Sequence, residues 1–127
     1  MTDQSDSFST YCLYIQISRK ISINIGKLGK VDFPKGIYLY CGSARKNFDA
    51  RINRHLTRNK KIRWHIDYLL GNKYSKIIKI EKFKLEEHTE CSLVKYYVLN
   101  NIAEKYVIGF GASDCQNGCR SHLLKLL

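Results

Sequence analysis

The chain has 127 residues, 44% of them hydrophobic, and 22 Lys and Arg against 11 Asp and Glu, for a net charge of +11. That length supports a single domain with one core, and the apolar share is that of an ordinary folded protein, which excludes a disordered or multidomain chain. No apolar run reaches the ~18 residues of a membrane-crossing helix, and the odd count of five cysteines argues against a complete disulfide framework, so a cytoplasmic protein with reduced thiols is expected.

Residues 1–9 are polar and acidic and read as a flexible tail, leaving 10–127 as the domain. Residues 11–18, Tyr-Cys-Leu-Tyr-Ile-Gln-Ile-Ser, suit a strand. Residues 22–25 alternate and end at Gly26, which predicts a hairpin partner for that strand. A loop rich in Gly and Lys runs to Pro34, and residues 37–41 form the next strand. Phe48, Ile52 and Leu56 recur every four residues and predict a helix with that stripe on the core. A short helix is expected over residues 64–70, ended by Gly71, and a further strand over 76–83. Thr89 caps a helix running to about Asn101, and residues 107–110 suggest a last short strand. Early strands with interspersed helices indicate an α+β domain.

Tyr38 and Tyr40 share one strand face, about 6.6 Å apart at the usual rise. Arg51 and His55 share one helix face, next to the apolar stripe. An arginine there can fork onto phosphate oxygens, and a histidine can move a proton near neutral pH. Arg45, Lys46, Arg54, Arg58, Lys60, Lys61 and Arg63 cluster around this pair. Such a surface attracts a polyanion, so nucleic acid is the expected partner. A solvated basic face is the plain alternative.

Five blocks in order carry a family resemblance: Tyr40-Cys41-Gly42-Ser43-Ala44, Arg51-Ile52-x-Arg54-His55, Trp64-His65-Ile66-Asp67-Tyr68-Leu69, Glu90-Cys91, and Gly109 to Cys115 with Ser121-His122-Leu123. The chain resembles the GIY-YIG nuclease superfamily, in its DUF123 or Uri-type branch. The resemblance implies a three-stranded antiparallel sheet flanked by helices, with an additional strand or two. It places the first motif at Ser9-Thr10-Tyr11 and the second at Tyr40-Cys41-Gly42; the literal Gly36-Ile37-Tyr38 is then only the lead-in to the second. Ser9 and Cys41 depart from the usual residues. The implied site is Tyr11, Tyr40, Arg51, His55 and the carboxylate of Glu90, which would hold one Mg or Mn ion, with Asp67 as the runner-up carboxylate.

The implied activity is metal-dependent hydrolysis of a DNA phosphodiester. A tyrosine would orient or deprotonate water, which requires a basic neighbour to lower its pKa from about 10. Arg51 would stabilise charge on the phosphate. Two other readings stand beside it: a non-catalytic nucleic-acid-binding module, and a zinc-stabilised structural or partner domain. For the latter, Cys91, Cys115, Cys119 and His122 are the ligand set. The alternative is buried cysteines, with Asp114 and His122 holding the C-terminal turn. His65 and Asp67 either hydrogen-bond within the fold or border the nucleic-acid groove, and no membrane partner is expected.

Overall fold

The computed structural model describes residues 8–44, 46–58, 60–107, 109–110 and 121–127. Its strands are β1 (Phe8–Ile17), β2 (Ile21–Asn24), β3 (Lys30–Phe33), β4 (Gly36–Ser43), β5 (Ser75–Lys84), β6 (Ala103–Lys105) and β7 (Leu123–Leu126). The helices are α1 (Phe48–Leu56), α2 (His65–Leu70) and α3 (Glu90–Leu99). β5, β1, β4, β7 and β6 form one five-stranded sheet in that order, with every neighbouring pair antiparallel. The fold is therefore α+β, with an antiparallel main sheet of five strands, where three with an additional strand or two were expected.

β1 lies inside the sheet and is buried on both faces, which is why its sequence is nearly all apolar. Tyr11, Leu13, Ile15 and Ile17 face a core closed by Phe48 and Ile52 of α1 and by Ile66, Leu69 and Leu70 of α2. Cys12 faces the opposite core, built with Leu39, Cys41 and with Leu93, Val94 and Tyr97 of α3. Each large side chain so buried contributes about 1.5–3 kcal/mol. β1 pairs with β4 in continuous register from Thr10↔Ser43 to Ile17↔Gly36. Its register with β5 is broken twice, between Phe8 and Thr10 and between Tyr14 and Ile15.

Several expectations are corrected. The strand at the start reaches back to Phe8, so Ser9, expected in the tail, is buried within β1. β2 pairs with β3, not β1, and the two form a separate two-stranded sheet. That hairpin is tied to the main sheet by the rings of Phe33, Tyr38 and Tyr106, which lie 5.4–5.8 Å apart, and by Tyr106 Oη donating to Asp32 O at 2.6 Å. The described residues of 107–110 are not a strand; Val107 has φ 65°, and pairing resumes at β7 instead. On α1, Leu56 is 52% exposed while His55 is 3% exposed. A histidine thus takes the third core position of the helix, because its imidazole has a polar partner inside.

The Thr89 cap of α3 is as expected: Ser92 N–H donates to Thr89 Oγ1 at 3.1 Å, and Thr89 N–H donates to Ser92 Oγ at 2.9 Å. No helix among the described residues is long and apolar enough to cross a membrane.

Candidate functional site

Tyr11 enters the site from β1, Tyr40 from β4 and His55 from α1. Tyr11 Oη and His55 Nε2 share a buried hydrogen bond of 2.7 Å. The Tyr40 and His55 rings meet edge to face at 6.2 Å between centroids. Gly42 stands opposite Tyr11 in the ladder. A Cβ added at Gly42 would lie 2.5 Å from Cζ of the Tyr11 ring, so only glycine leaves room for this tyrosine.

Arg51 rises from the same helix as His55. Its Nη1 donates to Ser43 O at 3.0 Å, which fixes the guanidinium at the mouth of β4. Its charge lowers the pKa of both Tyr11 and Tyr40, whereas the charge of Glu90 raises both. Arg51 and Glu90 thus both influence the charge state of the two phenols, with opposite sign. Desolvation dominates there. It pushes Tyr11 up to about 12 and Tyr40 well above the ordinary tyrosine value, and it drives His55 down to about 4. The sequence reading required a lowered tyrosine pKa; burial produces the reverse.

Glu90 opens α3, and its side chain is 34% exposed. His122 Nδ1 lies 3.9 Å from Glu90 Oε2, and His122 Nε2 lies 3.7 Å from Cys91 Sγ. One partly exposed carboxylate suits a hard cation such as Mg, which is commonly held by one or two carboxylates with water and substrate phosphate completing the shell. Cys115, Cys119 and Asp114 fall outside the described residues, so of the zinc set the structure describes only Cys91 and His122, in contact. Among the described residues no three His, Cys, Asp or Glu side chains gather as metal ligands.

Asp67 is committed elsewhere. Its carboxylate is buried, accepts from the N–H groups of Arg63 and Trp64 at 2.9 Å, and pairs with Arg54 Nη1 at 3.0 Å. It caps α2 and ties it to α1, so it is not the runner-up metal carboxylate. Of the expected nucleic-acid contacts, Arg54 also donates to Lys61 O, Arg58 donates to Asn72 O and Ser75 O, and Lys60 donates to Thr57 O at the end of α1. Lys46, Lys61 and Arg63 are exposed, whereas Arg45 is outside the described residues. His65 packs on Phe110, 5.6 Å between ring centroids.

Trp64 is the centre of a cluster of arginines. The guanidinium carbons of Arg51 and Arg54 each stand 4.4 Å from its ring centroid, and that of Arg63 stands 5.6 Å away. This half-buried indole holds the arginine fan at the edge of the site through cation–π contacts. Arg54 and Arg63 of this fan also line a groove of about 380 Å³ with Lys61 and Ile62. The signal in the sequence was the aromatic residue closing the basic run at 60–63.

No curated protein and no solved structure matches the chain. A family model does match, over residues 10–127, and the chain belongs to that family, described as Domain of unknown function DUF123.

Proposed function

We propose that the protein is a metal-dependent endonuclease of the GIY-YIG type that hydrolyses DNA phosphodiester bonds. The observation that carries this reading is the buried Tyr11–His55 hydrogen bond of 2.7 Å, set where Arg51 and Glu90 both act on Tyr11 and Tyr40. In this reading β5, β1 and β4 are the three-stranded core of that fold, with β6 and β7 added beside it.

At rest both members of the pair are neutral, and in the Nδ1–H tautomer Tyr11 donates to His55 Nε2. Burial favours the neutral form of both members, so a phenolate–imidazolium pair is disfavoured at rest. Tyr11 instead orients the attacking water and takes its proton in concert with handing its own to His55. Arg51, braced on Ser43 O and Trp64, meets the charge growing on the phosphate oxygens. Glu90 would hold a Mg or Mn ion, which would supply Lewis-acid charge for the phosphate. His122, beside Glu90, orients that carboxylate.

Supercoiled, linear, branched and single-stranded DNA incubated with Mg, Mn or chelator tests the reading. Cleavage is expected only with metal, and Arg51→Ala and Glu90→Ala should each lower its rate by about 100-fold or more. Unchanged cleavage in either variant removes that residue from the scheme. The upward shifts of both phenols favour a second reading, a nucleic-acid-binding module of the same fold. Salt-sensitive DNA binding with no cleavage under any metal would select it.

A further inference from the structure

A cavity of about 290 Å³ opens beside His55, where the end of α1 meets the end of α2 and the start of β5. Its apolar lining is Leu56, Leu70 and Ile77, and its cationic lining is Arg58 and Lys76. His55 and Ser75 complete it. Nothing in the nuclease reading uses it.

Four features point to an occupant. The volume is near the lower end of small-molecule pockets, about 300 Å³, and is larger than a bare inorganic anion requires. Arg58 is preorganised: Nη1 donates to Asn72 O at 3.0 Å and Nη2 to Ser75 O at 2.6 Å, which fixes the guanidinium and leaves other N–H donors to spare. Lys76 is exposed on the edge strand and adds a second positive charge. Finally, His55 Nδ1 is buried and has no hydrogen-bond partner among the described residues, although Nε2 is engaged by Tyr11. Such a group is costly to leave unsatisfied. A cavity lined by two cations, three apolar side chains and the His55 imidazole suits an amphiphilic anion.

We propose that this cavity binds a small ligand with one phosphate on a flat, largely apolar body, of the nucleoside monophosphate class, its phosphate between Arg58 and Lys76. Binding there does not depend on the nuclease reading. Coupling of the bound ligand to activity through His55 and Tyr11 does rest on it.

Uniformly 15N-labelled protein titrated with adenosine monophosphate, inorganic phosphate and adenosine tests the site. Saturable shifts are expected at the His55 ring nitrogens and the Ser75 and Lys76 amides with the monophosphate, which should bind more tightly than either fragment. Lys76→Glu, at an exposed position, should weaken binding about tenfold, the loss of one charge-assisted contact. Arg51→Ala should still bind it, which separates this site from the nuclease locus. The proposal is overturned if the shifts centre on Trp64 and Arg63, if a fragment binds as well as the monophosphate, or if Lys76→Glu binds unchanged.

Discussion

Tyr11 and Gly42 form one unit: the ring of the first lies over the missing side chain of the second. Gly42→Ala forces the ring aside in a filled core. We expect a loss of about 1–3 kcal/mol in urea unfolding and a stretched Tyr11–His55 contact. His55 carries a pH signature. Its pKa is about 4 in the folded chain against an ordinary value of 6.5, so between those values the unfolded chain binds the extra proton and stability rises with pH. The contribution is complete above about 6.5 and is lost on acidification toward about 4, a change on the order of 3 kcal/mol. Urea midpoints across that range should show this slope, and His55→Gln should flatten it. The sequence could place Arg51 and His55 on one helix face, because a spacing of four fixes that. It could not tell that His55 rather than Leu56 goes inward, because the deciding partner, Tyr11, lies forty-four residues away.

Helix α2 is only six residues long and depends on its first turn. Asp67 supplies that turn with a carboxylate at the N-terminal N–H groups and joins α2 to α1 through Arg54. Asp67→Asn keeps the shape and removes the charge, leaving Arg54, which is 23% exposed, without its anion. A destabilisation of about 3 kcal/mol is expected from thermal unfolding, with the Trp64 fluorescence changing as its arginine neighbours loosen. An acid in the first turn of a helix was legible from local sequence. The Arg54 pairing was not, since it needs α1 and α2 side by side. The same limit explains the missed strands: β7 follows a long segment and is recruited to β4 by Leu123 and Leu124, and no local pattern announces that pairing.

Across the whole molecule, the net charge of +11 overstates the cations available to a polyanion: Arg54 is paired with Asp67, Lys60 is turned to the carbonyls that end α1, and Arg58 lines the cavity beside Ser75. With Arg51, Lys46, Lys61 and Arg63 as the contacts, about four phosphates are neutralised, and DNA affinity should fall ~100-fold between roughly 50 and 200 mM salt. Fluorescence anisotropy measures this directly. If all the basic residues of the 45–63 region took part, the loss would be nearer ~10⁴-fold, so the slope separates the two counts. On the opposite edge, exposed Lys76, Lys79 and Lys82 guard β5 against pairing with another sheet. The β1–β4 ladder carries a last consequence. Its two strands are distant in sequence and joined through an inserted hairpin, so no tight turn dictates how they align. A slip of one residue would carry Tyr11 to the α3 side of the sheet. Such a molecule would break the Tyr11–His55 contact and set a side chain other than glycine against the Tyr11 ring, so the two cores and the Tyr11–Gly42 fit, in place of a turn, hold the alignment.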